Sequence, residues 1–263
     1  MSKMDLGGAD RQFVNALARG LNILGCFSPG KAELSMAEIS KMVGLPQPTV
    51  WRLCHTLLSL GYLDQSSADN KLRPGLRVLT LGYATLTNFP LAELAGPHMK
   101  KLAERFDGSV SLGARQGGLE IVYLQRCVGS VFVFAELGVG SRIRISNSVS
   151  GWAYLAALPE PDRRALISAI EVSEGARWCT LQPRLKKAIA EYRRLGFIVQ
   201  KGLLHPDLNS AAATFRVQGR EDPFTLSGGG IASRFDDAKL QALGEALVGL
   251  AALLGSTRQA SNR

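Results

Sequence analysis

Within GLPQPTVWRLCHTLLSLGYL, the segment from Gly44 to Leu63, four side chains fit for directed polar contacts stand close together: Gln47, Thr49, Arg52 and His55. They are an amide, a hydroxyl, a guanidinium and an imidazole, and the segment holds no carboxylate. A donor-rich set of this kind suits hydrogen bonding to a polyanion. Gln pairs with adenine, Arg with guanine or the backbone, and Thr with phosphate or a thymine methyl. Spacing supports the same reading. Val50, Leu53, Cys54 and Leu57 recur as one apolar stripe of a helix. At about 100° per residue, Pro48, Arg52, His55, Thr56 and Ser59 point away from it, with Thr49 and Trp51 on its flanks. Trp51 is expected to wedge between this helix and its neighbours or to lie along a sugar-phosphate edge. Pro48 fits only the first turn, where no intrahelical N–H bond is lost. The free N–H groups and positive dipole end of that turn favour a nearby phosphate.

Those side chains need a rigid mount, and the preceding residues supply one. FVNALARGLNILGCF (13–27) sets Val14, Leu17, Leu21 and Leu24 at spacings of three and four, an amphipathic helix closed by SPGK. Ser35 with Glu38 forms a capping box for a short helix ending at Gly44. Helix, short helix, tight turn, helix is the helix-turn-helix order. After it, extended pieces at 62–65 and 71–73 flank the polar turn SSADN, which suits a hairpin wing. Leu76 to Leu86 returns to helical spacing as a connector, and LAELAGPHMKKLAERF continues as a helix that Pro97 is expected to kink or split.

From about Gly108 the texture becomes alternating. VSLGARQGG, LEIVYLQRCV and VFVFAEL are strand-like, helical patterns follow at 151–158, 162–170 and 185–195, and FIVQKGLL, AAATFRV and FTLSGGG return to strands before a last helix at 237–254. This order predicts an α+β second domain around one antiparallel sheet. The expected division is a DNA-binding domain over 1–75, a linker helix over 76–89 and a larger domain over 90–263.

Bulk properties set limits. The chain has 263 residues, 46% of them hydrophobic and 20% charged, as in an ordinary two-domain folded protein. Its net charge of +9 favours polyanions, yet residues 1–80 hold nine Lys/Arg against six Asp/Glu and so carry only +3 of it. No apolar run approaches the roughly 20 residues of a membrane span, and LGEALVGLAALLG (243–255) suits a buried C-terminal helix. With no apolar signal core in MSKMDLGGADRQ, a cytoplasmic protein without membrane attachment is expected. Cys26, Cys54, Cys127 and Cys179 lie far apart and are expected as buried thiols; His55, His98 and His205 fall at no metal-ligand spacing. His98 is expected as a partner-bonded structural residue and His205 as a loop residue. No cofactor and no metal are expected.

Together these residues resemble the IclR family of transcriptional regulators. SMAEISKMVGLPQPTVWRLCHTLLSLGYL and KLRPGLRVLTLG are similar to the family's winged helix-turn-helix. PHMKKLAERFDGSVSLGARQGGLEIVYLQR, SVSGWAYLAALP, HPDLNSAAATF and FTLSGGG resemble successive segments of its effector domain. The likeness covers roughly residues 12 to 256, and several motifs in order are more specific than any one. It departs at Arg144, where the family often has Pro, at Trp152, often Lys or Arg, and at Ala211 to Ala213, where a cysteine is frequent.

The resemblance implies a winged helix-turn-helix, a linker helix and a GAF-like α+β effector domain. It also implies a small organic acid as effector, and dimers or tetramers on a palindromic double-stranded operator. The DNA-binding residues are then Gln47, Pro48, Thr49, Trp51, Arg52 and His55. By position Val149, Ser150 and Gly151 match the loop over the effector pocket, Asn209 and Ala211 one wall, and Ser227, Gly228 and Gly229 the strand facing it. Their chemistry fits a carboxylate held at a helix start and oriented by hydroxyl and amide groups. Each also has a plainer reading: Ser150 as an N-cap, the glycines as a bend, Asn209 as a turn residue. Arg115 and Arg142 are expected to be solvated. An enzyme acting on a carboxylic acid, with the N-terminal helices as an interaction module, is the competing class. Against it, SVSGW lacks the glycine of a nucleophile elbow and SGGGIAS the third glycine of a dinucleotide loop. A ligand-independent architectural DNA binder has no use for so large a second domain.

Overall fold

The computed structural model describes residues 12–28, 30–115, 117–130 and 137–256. Backbone contacts divide the chain into two units between Asn88 and Phe89. The predicted strand VFVFAEL lies, but for Leu137, outside the described residues.

In the first unit, helices α1 (Asn15–Leu24), α2 (Met36–Val43) and α3 (Gln47–Ser59) enclose a small core of Ile23, Leu34, Ile39, Val50, Cys54 and Leu63. The capping box at α2 forms as predicted. The Glu38 N–H donates to Ser35 Oγ at 3.3 Å, and the Ser35 N–H donates to Glu38 Oε2 at 2.8 Å. Strands β1 (Leu63–Gln65) and β2 (Leu72–Pro74) make the antiparallel wing, which Leu34 joins by a bridge to Leu72. Helix α4 (Leu76–Thr87) follows and buries no residue.

Helix α1 forms as predicted but buries only one end of its apolar stripe. Val14, Leu17 and Leu21 are each about 60% exposed, and the helix turns Ile23 to the core instead. Of the predicted stripe, Leu24 is half-buried against this core, while Val14, Leu17 and Leu21 stay uncovered among the described residues.

The second unit is built on one six-stranded antiparallel sheet in the order β5-β4-β3-β8-β7-β6. The strands are β3 (Ser109–Arg115), β4 (Glu120–Val128), β5 (Arg142–Arg144), β6 (Phe197–Lys201), β7 (Leu208–Phe215) and β8 (Phe224–Ile231). Helices α5 (Pro90–Phe106) and α9 (Asp237–Ser256) cover one face, with Leu112, Leu226, Met99 and Leu243 in that core. Helix α6 (Val149–Ala157), backed by α7 (Glu160–Glu174) and α8 (Trp178–Leu195), packs on the other face with Ile121, Ala212, Ile198 and Trp152. This is the α+β architecture that the pattern predicts.

Several expectations need correction. Pro97 does not split α5, because the carbonyl it leaves without an amide partner belongs to Glu93 on the exposed side of the helix. His98 is exposed and has no polar partner among the described residues. Helix α9, by contrast, starts at Asp237 as predicted; it has the length and apolar composition of a membrane span, but its Leu240, Leu243 and Leu247 are buried on the sheet. Of the cysteines, Cys26 and Cys54 are buried, Cys127 half-buried and Cys179 exposed.

Candidate nucleic-acid interface and ligand-binding face

The link between α2 and α3 is three residues long, and its backbone explains why. Gly44 ends α2 in the left-handed region (φ 67°), its N–H returning to Ser40 O. Ser40 Oγ donates to Leu45 O at 2.6 Å, which locks the turn, and Pro46 and Pro48 set the entry into α3. With Val50 and Cys54 fully buried, the orientation of α3 about its own axis is fixed. Gln47, Pro48, Arg52 and His55 are then exposed and Thr49 is half-buried.

Side chains along this edge differ in their freedom. Thr56 Oγ1 donates to Arg52 O and Ser59 Oγ to His55 O, so both hydroxyls are occupied by their own helix. Gln47, Thr49 and Arg52 make no side-chain hydrogen bond or ion pair among the described residues. Trp51 does not wedge between helices. It is 56% exposed and stacks on His55, ring centroids 5.3 Å apart. A buried Val50 on one side and a buried Cys54 on the other leave the intervening indole no course but outward.

In the second unit Ser148, not Ser150, caps α6: its Oγ accepts from the Gly151 N–H at 3.0 Å and donates to Arg144 O at 2.8 Å. Ser150 sits inside the first turn, 1% exposed, and its Oγ has no hydrogen-bond partner. Val149 is buried beside it. Gly151 is a packing requirement, since a Cβ there would stand 2.3 Å from Ile145 Cα. Trp152 donates its Nε1–H to Ser146 O at 2.8 Å, and Tyr154 donates its hydroxyl to Asp222 at 2.5 Å. Burial first, then the Asp222 contact, pushes the Tyr154 pKa up to about 12.

Strand register decides which wall residues share a face with α6. Ser227 pairs with Ala212 and with Ser111, so all three lie on the α6 side. Asn209 and Ala211 do not. Ala211 belongs to the α5/α9 core, and Asn209 Nδ2 donates to Phe235 O, buried in that same core. Gly228 likewise turns to α9, where its Cβ would press on Leu243. Gly229 faces the α6 side, but there a Cβ would meet Asn209 O at 2.3 Å, so neighbouring strand atoms explain the glycine. Asn209 and Ala211 therefore do not share a face with Ser227; their neighbours Ser210 and Ala212 do.

The sequence reading missed Ser111 and Arg126. Arg126 Nη1 donates to Ser111 Oγ at 3.2 Å, and the two are register partners. Arg142 instead pairs with Glu120, and Arg115 donates to Gly118 O.

A family model described as the C-terminal domain of the bacterial transcriptional regulator IclR matches residues 83–254, and one for the IclR helix-turn-helix domain matches residues 16–67. The chain belongs to the IclR family. It is a DNA-binding transcriptional regulator. Among IclR-type relatives, the HTH-type transcriptional regulator TsaQ1/TsaQ2 of Comamonas testosteroni is 33% identical over 215 residues, 81% of this chain and 77% of that protein. An IclR family transcriptional regulator from Brucella abortus superimposes with a TM-score of 0.81 at 34% identity, covering 95% of each chain. An IclR homolog from Microbacterium hydrocarbonoxydans, crystallised with 4-hydroxybenzoate, gives a TM-score of 0.72 at 23% identity over 92% of this chain and all of that one. At that identity the likeness concerns the fold.

Proposed function

We propose that this IclR-family protein reads double-stranded DNA with the start and outward edge of α3. Gln47, Thr49 and Arg52 supply hydrogen bonds, Pro48 shapes the approach, and Trp51 with His55 lies along the backbone. The observation that carries this reading is the free donor edge: three polar side chains on a rigidly seated helix, unpaired and without a neighbouring carboxylate among the described residues. A helix presented this way fits the major groove, while the wing of β1 and β2 reaches the flanking backbone.

The uncovered apolar side chains of the first unit support homodimers or homotetramers on a palindromic site. Val14, Leu17 and Leu21 on α1 and Leu76, Leu79 and Tyr83 on α4 are exposed in the single chain, as expected of surfaces that a second copy covers. The second unit binds a small organic acid on the α6 side of its sheet, around Val149, Ser150, Gly151 and Ser227, and occupancy shifts the population of DNA-competent arrangements. The 4-hydroxybenzoate held by the Microbacterium homolog supports that class of effector. The protein acts in the cytoplasm and is not an enzyme, in keeping with relatives that are regulators.

Footprinting the full chain on the DNA flanking its own reading frame tests the reading. A salt-sensitive protected site with inverted symmetry is expected. Absence of protection at low salt, together with turnover of a carboxylic acid, would favour the enzyme alternative.

A further inference from the structure

A β-bulge re-aims one arginine onto the α6 face. Leu112 pairs with Gln125 and Gly113 with Tyr123, so Leu124 is the extra residue of β4. Before the bulge Ile121 belongs to the α6 core. After it, Leu124 packs in the α5/α9 core, Gln125 approaches Gly96 of α5, and Cys127 Sγ meets Gly96 O. Arg126 is thereby turned to the α6 side, where it heads a row across the sheet: Arg126, Ser111, Ser227, Ala212. Bulges gather beside binding sites because they redirect single side chains in this way.

Among the described residues, no carboxylate pairs with this arginine. Its Nε is buried without a hydrogen-bond partner, its Nη1 has only the neutral Ser111 hydroxyl, and no ion pair reaches it among the described residues. Arg142, Arg144, Arg163 and Arg234 each pair with a carboxylate. A guanidinium stays protonated when buried, so an unmet N–H of this kind is costly until an anion arrives. The unpartnered Ser150 hydroxyl lies in α6, which packs on the same side of β7 and β8, and Ser227, 6% exposed, makes no side-chain hydrogen bond among the described residues.

We propose that Arg126 is the anion-binding residue of the effector face, holding the carboxylate of a small monoacid between Ser111 and Ser227. This rests on the effector reading above and makes it specific: one arginine among neutral hydroxyls matches one negative charge, not the two of a phosphate.

The test uses the full chain with three acids, 4-hydroxybenzoate, benzoate and pyruvate, each beside its neutral amide, and with inorganic phosphate. Affinities come from calorimetry, folding from circular dichroism and melting. At least one acid is expected to bind at least roughly 10-fold more tightly than its amide. Arg126→Gln weakens that acid roughly 10- to 100-fold and leaves the amide unchanged, so the acid-to-amide preference disappears. If the glutamine variant does not fold, Arg126→Lys replaces it; its retained charge keeps a preference for the acid, but with weaker binding. An acid held equally by wild type and variant overturns the assignment to Arg126 and leaves the effector face standing. Amides or phosphate preferred over acids overturn the monoacid class. Binding of none of the seven probes counts against the small-acid reading itself and takes this proposal with it.

Discussion

Arg52→Ala separates a DNA-reading α3 from a merely solvated one. Because Arg52 is exposed and unpaired, truncation breaks no internal contact, and alanine suits a helix interior. Stability should stay within about 0.5 kcal/mol of wild type. Loss of one base contact costs about 1–3 kcal/mol, a roughly 5- to 150-fold weakening per site, and a dimer loses it twice. The salt dependence tells which contact was lost. A phosphate contact lowers the slope of log K against log salt by about 0.9 per protomer, whereas a base contact leaves the slope and relaxes discrimination at one base pair. Fluorescence anisotropy with the footprinted duplex at four salt concentrations measures both. A variant that melts like wild type and binds within twofold of it at every salt concentration would refute the reasoning.

Three further outcomes follow from local geometry. Ser35→Ala removes the cap of α2 and should lower the stability of the first unit by about 0.5–2 kcal/mol in urea unfolding; an unchanged midpoint would mean the box contributes nothing. Gly151→Ala drives a methyl into Ile145 and should destabilise the second unit by about 1–3 kcal/mol by the same measurement, whereas wild-type stability would contradict the close approach. Tyr154 has its folded pKa raised to about 12 from an ordinary value near 10. The unfolded chain therefore releases this proton first, and stability is lost as pH rises from about 10 to 12, on the order of 2–3 kcal/mol. Tyr154→Phe should flatten that decline relative to wild type, and parallel curves would contradict it.

Much of this was legible because local chemistry and tertiary packing agree. Gly44, Pro46 and Pro48 punctuate the turn before α3, Ser35 and Glu38 mark a helix start, and the polar SSADN run marks the wing; each acts within a few residues. What failed was whatever depends on a partner in space. Apolar spacing on α1 fixes a stripe but does not say that Ile23, outside it, meets the core together with Leu24 while Val14, Leu17 and Leu21 stay uncovered. Ala211, Ala212 and Ala213 are alike in size and polarity, so they carry no phase, and a match by position does not tell which side of β7 Asn209 faces. Strict alternation from Ile121 would send Arg126 to the α5 side. Only the extra Leu124, visible through pairing with β3, reverses it.

The central claim is that the start of α3 lies inside DNA. It is tested most directly by placing p-benzoylphenylalanine at Gln47 and, as a control, at Val172, a side chain 85% exposed on α7. Irradiated with the footprinted duplex, the label at position 47 should cross-link to DNA and the label at 172 should not. Cross-linking from 172 with none from 47, in protein that still protects the site, would contradict the account.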